Sequence, residues 1–114
     1  MTLSVPKTSW AEFVSAVTGW HIDGEEAYKI GERIANIRQA FNIREGFNAL
    51  EHPIHPRMIG LPPLKKGPRK ETTVDMDTLL QDFLTAMEWD LVTGRPSAKR
   101  LIELGLKDVT EDLR

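Results

Sequence analysis

Between Asp23 and Gly46, apolar residues return at alternating steps of three and four: Ala27, Ile30, Ile34, Ile37 and Phe41. An α-helix brings that spacing onto one face. Asp23, with Glu26 three residues on, supplies the start, because its carboxylate accepts from a backbone N–H that lacks a helical partner. Gly46 supplies the stop, since a left-handed residue closes a helix and glycine adopts that conformation without strain. The pattern therefore predicts a helix over 24–45, the longest element of the chain. Its apolar stripe must pack against something. Beside the stripe, Ala27, Gly31 and Ala35 stand four apart as a ridge of small residues. Gly31 costs the helix about 1 kcal/mol, and close approach of another backbone is the expected return.

Shorter helices are predicted on either side. Met1–Lys7 has no periodic pattern. Ser9 and Glu12 form a capping box for a helix over 10–18, which carries Trp10, Phe13, Val14 and Val17 and ends at Gly19. Asp75 opens a helix over 76–88, with Val74 and Leu79 placed to staple across the cap and Leu80, Phe83, Leu84 and Met87 on its apolar face. Trp89-Asp90 ends it, and Thr93-Gly94-Arg95-Pro96 turns the chain. Ser97 caps a helix over 98–104 with Leu101 and Leu104, closed by Gly105, and Leu106–Leu113 has room for one more turn. From Phe47 to Thr73 the chain holds Pro53, Pro56, Pro62, Pro63 and Pro68, five of its seven prolines. Each removes a donor and fixes φ, so neither a helix nor a central strand fits 47–73. No internal repeat and no convincing strand alternation appears. The expected fold is all-α: a small multi-helix domain over 1–114 with a long proline-rich irregular loop.

Composition excludes several kinds of chemistry. The chain of 114 residues has no cysteine. Disulfides, thiolate zinc sites, a cysteine nucleophile and an all-cysteine iron–sulfur cluster are therefore out of reach. The formal charge of −2 argues against a dedicated nucleic-acid binder. No apolar run approaches the roughly 18 residues that a membrane helix needs. No secretory signal is recognised, so a cytoplasmic protein is expected.

The remaining polar clusters are modest. Glu51, His52 and His55 offer metal-ligand atoms, but Pro53 and Pro56 stiffen the spacing and no helical register aligns them, so no metal site is assigned. His21 stands between a helix stop and a helix start with no evident partner, and no catalytic residue is assigned. Arg57, Lys65, Lys66, Arg69 and Lys70 carry a basic run with no acid among them. It lacks interleaved aromatics, and the acids from Glu71 to Asp90 are expected to neutralise it. Asp75, Asp77 and Asp82 do not follow a calcium-loop pattern and suit a helix N-terminus better. Most distinctive is Phe41-Asn42-Ile43-Arg44-Glu45-Gly46. Phe41 closes the apolar stripe, Gly46 permits the cap, and Arg44 lies near carbonyls that lack helical partners. Asn42 and Glu45 can bond the departing chain. A structural role is expected for Phe41, Asn42, Arg44, Glu45 and Gly46, with no cofactor-binding residue in the chain.

Read in order, Phe13-Val-Ser-Ala-Val-Thr-Gly-Trp20, Lys29-Ile-Gly-Glu-Arg-Ile34 and Phe41-Asn-Ile-Arg-Glu-Gly-Phe47 resemble the C-terminal region of tungsten-containing aldehyde:ferredoxin oxidoreductases. Trp89-Asp90, Thr93-Gly94 with Pro96-Ser97, and Leu101–Leu106 resemble that family's closing segment. The resemblance runs from about Trp10 to Leu106 and is poor between Asn48 and Thr73. His21 departs from a common Asp, Ala35 from a larger aromatic, and Glu88 from a Gly before the Trp-Asp pair.

The resemblance implies a parent enzyme that oxidises aldehydes to carboxylic acids. In such a parent a tungsten bis-pyranopterin (molybdopterin-type) takes the electron pair, and a [4Fe–4S] cluster passes electrons to ferredoxin. The family's last cluster cysteine and its pterin positions lie upstream of the matching segment. The chain is thus expected to be a C-terminal fragment that is inactive alone, carries no cofactor and packs on the cofactor-bearing upstream domains. A homo-oligomer through uncovered apolar surface is expected of the isolated fragment. The alternatives are a free-standing helical interaction module and a nucleic-acid-contacting protein using Arg57–Lys70.

Overall fold

A computed structural model describes residues 7–113, with side chains from Ser9 onward; Met1–Pro6 and Arg114, including most of the patternless N-terminal stretch, lie outside the described residues. The architecture is all-α. Helices α1 (Lys7–Thr18), α2 (Gly24–Arg44), α3 (Met76–Ala86), α4 (Ala98–Glu103) and α5 (Lys107–Asp112) follow one another in chain order. Single 3₁₀ turns at Ala49–Glu51 and Pro56–Ile59 interrupt the proline-rich loop. No strand occurs among the described residues, where an isolated antiparallel bridge joins Trp89 to Pro96.

Local chemistry sets most of the helix ends. Asp23, Asp75 and Ser97 each accept from the backbone N–H three residues ahead, at Glu26, Thr78 and Arg100. Helix α1 already includes Lys7, so Ser9 lies inside it and is not its cap. Helices α2 and α4 close on the same device. Gly46 N–H donates to Ile43 O and Phe47 N–H to Asn42 O, with Gly46 at φ 77°. Gly105 N–H donates to Ile102 O and Leu106 N–H to Leu101 O, with Gly105 at φ 76°. Both are Schellman motifs. Helix α3 ends in a third, with Glu88 N–H on Thr85 O and Trp89 N–H on Leu84 O, but its left-handed residue is Glu88 at φ 54°.

The core is small and lies at one end. Ala40, Leu101 and Leu113 are buried together, with Ile43, Leu106 and Val109 packed around them. Helix α2 meets α5 there, α4 packs on α5, and α1 packs on the N-terminal part of α2. The apolar stripe of α2 does not form this core. Ile34, Ile37 and Phe41 are 54%, 45% and 55% exposed, whereas Asn36 and Gln39 are 0% and 8% exposed. The C-terminal elements contact the α2 face that carries Arg33, Asn36 and Ala40, and among the described residues the face one step round stays largely uncovered.

The dimensions agree with that incomplete coverage. The radius of gyration is 18.1 Å and the extents are 50 × 41 × 20 Å, against about 13 Å expected for a compact domain of this length. The accessible surface is 9246 Å², whereas a closed monomer of this mass would expose about 6300 Å².

Candidate functional site

A polar seam joins α2 to the C-terminal third of the chain. Residues Glu32, Asn36 and Gln39, at steps of four and three, share one face of α2. The Trp89 indole N–H donates to Asn36 Oδ1 at 2.9 Å, and Asn36 Nδ2 donates back to Glu32 O at 2.9 Å. Gln39 Nε2 donates to Gly94 O at 2.8 Å. Arg100 clasps the Glu32 carboxylate through one nitrogen, at 2.7 and 2.8 Å, and reaches Glu103 with another at 3.1 Å. The Glu32 carboxylate, then Glu103, hold the Arg100 guanidinium above its ordinary pKa, so the cation is fixed. Arg33 Nε donates to Leu104 O at 2.9 Å, and its Nη1 meets Glu26 at 2.8 Å. Buried amides that bond specific partners fix a register, because a slip would orphan them.

The seam holds a tight turn, Trp89–Ser97. The Asp90 carboxylate accepts from Val92 N–H, Thr93 N–H and the Thr93 hydroxyl at 2.7–3.0 Å. These bonds, the Thr93 N–H first, draw the Asp90 carboxyl below its usual pKa. Asp90 N–H donates to Arg95 O, and Ser97 N–H to Glu88 O. Gly94 is buried at φ 68°, and a Cβ there would press on Gln39 Nε2 at 3.0 Å. Phe83 packs edge-on against the Trp89 ring, 5.5 Å between centroids.

On the N-terminal half of α2 the surface is of another kind. A groove of about 520 Å³ runs between Trp10 on α1, Gly24, Ala27, Tyr28, Gly31 and Ala35 on α2, and Met87 beyond α3. The small-residue ridge forms its floor. A Cβ at Gly31 would meet nothing within 4 Å, so the close backbone approach expected there is not made among the described residues. Nearby, Trp10, Phe13 and Val17 on α1 are 64%, 64% and 87% exposed.

The Phe41–Gly46 segment lies at the other end of α2. The carbonyls of Phe41, Asn42 and Ile43 are taken by the N–H groups of Glu45, Phe47 and Gly46. The Arg44 side chain turns to other partners. Its Nε donates to Glu45 Oε1 at 3.0 Å, and its guanidinium lies 5.3 Å from the Phe41 ring centroid. Phe41 and Arg44 border a small hollow with Val109 and Leu113.

Two of the three histidines make local contacts. His52 stacks on Phe47, 4.9 Å between rings, and His55 Nδ1 accepts from Arg57 N–H at 3.1 Å. His21 is exposed. Among the described residues, no group of three or more His, Asp or Glu side chains could hold a metal ion. Sequence reasoning singled out Arg44 and missed Glu32, Arg33, Asn36, Gln39 and Arg100. The available signal was the polar spacing of Glu32, Asn36 and Gln39 on one helix face.

The described residues thus form a helical domain with a polar seam on one side and an open apolar groove on the other. A family model described as aldehyde ferredoxin oxidoreductase, domains 2 and 3, matches residues 2–106. The chain belongs to that family. A tungsten-containing aldehyde ferredoxin oxidoreductase of Pyrococcus abyssi is 29% identical over 107 residues, 94% of this chain and 18% of that protein. Its counterparts in Pyrococcus horikoshii and Thermococcus kodakarensis are 28% and 26% identical over the same shares. The chain thus spans less than a fifth of the length of these relatives and matches their C-terminal part. The free-standing and nucleic-acid alternatives are not favoured by this match. No solved structure matches.

Proposed function

We propose that this chain is the C-terminal helical domain of a tungsten-pterin, iron–sulfur enzyme that oxidises aldehydes to carboxylic acids and passes electrons to ferredoxin. Its own work is to pack on the cofactor-bearing body and wall the redox centre from solvent, and it contributes no catalytic residue. The donor set does not fit an iron–sulfur cluster, since the chain has no cysteine. By the family resemblance, tungsten and pterin are carried by the upstream domains of the parent, which we read as a cytoplasmic enzyme. No described helix is long and apolar enough to cross a membrane.

One observation carries the reading. A match that covers 94% of the chain but 18% of its relative coincides with apolar surface that the chain leaves open. Phe41, Asn42, Arg44, Glu45 and Gly46 form the terminus that orients α2 toward the body. The experiment is metal analysis and a dye-linked aldehyde oxidation assay on the purified chain. No tungsten, no iron and no turnover are expected. Stoichiometric metal with aldehyde oxidation would overturn the reading.

A further inference from the structure

The segment between α2 and α3 is more ordered than its prolines imply. Val74 N–H donates to Ile59 O at 2.9 Å, Leu61 N–H to Pro56 O at 2.9 Å, and Glu71 N–H to Leu64 O at 3.0 Å. The two sides approach so closely that a Cβ at Gly60 would strike the Thr72 carbonyl. Residues 56–74 therefore form a loop closed at its base. Such loops present side chains from a fixed frame.

The loop encloses a hollow of about 210 Å³ lined by apolar Met58, Ile59, Leu64 and Val74 and by Arg69 and Arg57, whose Nη1 also donates to Pro62 O at 3.3 Å. Lys65 and Lys66, both exposed, follow Leu64 directly in the chain. The neutralisation by downstream acids expected from the sequence reaches Lys70 and, among the described residues, does not extend to Lys65, Lys66 or Arg69. Glu71 takes Lys70 at 3.4 Å, Asp75 caps α3, and Glu88 reaches Lys99 at 3.7 Å. The side chains of Lys65, Lys66 and Arg69 have no ion-pair partner among the described residues.

We propose that this closed loop is a docking site for an acidic, amphipathic segment of another protein. An apolar side chain of that segment enters the hollow, and flanking carboxylates meet Arg57, Arg69, Lys65 and Lys66. Planar guanidinium forks suit carboxylates beside such a hollow. Unpaired cations beside a concave apolar surface also raise the rate of encounter with an acidic partner. A protein segment is favoured over nucleic acid for two reasons. The loop has no aromatic residue between Pro56 and Val74, so it offers no platform for stacking bases. The hollow is lined by aliphatic and thioether groups, which suit a Leu-like side chain. This proposal is independent of the oxidoreductase reading.

The test is fluorescence anisotropy of the full chain with a labelled synthetic peptide that alternates Glu and Leu. Saturable binding that weakens as salt rises is expected. Lys65→Glu with Arg69→Glu should weaken binding about tenfold while leaving the circular dichroism unchanged, because both side chains are exposed and unpaired. Replacing Leu by Ser in the peptide should weaken it several-fold. The proposal is overturned if the folded charge-reversed chain binds like the parent, if the Ser peptide binds as well as the Leu peptide, or if single-stranded DNA of equal charge binds more tightly than the peptide.

Discussion

The two halves of α2 differ in what completes them. One face of its later half is finished by the chain itself: Asn36 and Gln39 are buried against Trp89 and Gly94, and Ala40 lies against Leu101 and Leu113, while Ile37 and Phe41 one step round stay exposed. Its earlier half carries the ridge Ala27, Gly31 and Ala35 along an open groove. One side spends polar side chains to fix a register, because an amide left without its partner costs more than a bonded one gains. The other side presents small and apolar groups, which gain only when another backbone arrives. The chain buries polar residues while Ile34, Ile37 and Phe41 stay exposed, which leaves that surface free to meet a partner. Exposed apolar patches of this extent mark interaction sites.

Mutations should separate the halves. The largest effect belongs to the closed half. Leu101 is 1% exposed, and Leu101→Ala should lower stability by about 2–5 kcal/mol, read by urea unfolding of the isolated chain. Asn36→Ala comes next. It strands the Trp89 indole N–H, and a loss of about 1–3 kcal/mol is expected. If Asn36→Ala were neutral, the seam would be a packing accident rather than a register device.

Substitutions on the open half and at the α3 end should act in the opposite direction. Gly31→Ala adds a methyl group into empty space, so the isolated chain should gain about 0.5–1 kcal/mol of helix propensity. In the assembled parent the same methyl group should obstruct docking. Glu88→Gly should also stabilise, by about 1 kcal/mol, by relieving a left-handed L-residue, and a longer-range ion pair to Lys99 at 3.7 Å is little to lose. Thermal unfolding of both variants checks the sign.

Smaller still is Arg44→Ala. The side chain is 49% exposed and pairs with an exposed Glu45, so a change of about 0–1 kcal/mol is expected, below what a bond to the helix carbonyls would have supplied. Turnover per cofactor-loaded parent should stay unchanged; a hundredfold loss without a change in melting temperature would make the segment catalytic. Acid should also report on the turns. The Asp90 and Asp75 carboxyls lie below their ordinary value of 3.8, drawn down first by the Thr93 N–H and the Thr78 hydroxyl respectively. Their stabilisation is complete well above 3.8 and is lost as pH falls through that value toward the folded ones. Asp90→Asn should flatten this acid limb in a pH series of unfolding curves.

What could be read from the sequence was what acts locally. The caps at Asp23, Asp75 and Ser97 and the left-handed glycines at Gly46 and Gly105 depend on neighbours within a turn or two. Glu88 hid the same closing motif, because the usual glycine is absent. Ser9 misled because α1 had already begun. The seam was not legible: its bonds join residues 53–71 positions apart, and nothing local pairs Asn36 with Trp89. The fate of the apolar stripe was illegible for a different reason. Its spacing shows that it must be covered but carries no information on whether the cover lies in the same chain.

Sedimentation velocity of the isolated chain over a concentration series, with an apolar dye present, tests most directly whether that cover is missing. The account predicts concentration-dependent association and strong dye binding, both reduced by Phe13→Glu or Ile37→Glu at exposed positions of α1 and α2. A compact monomer at every concentration that binds no dye would contradict it.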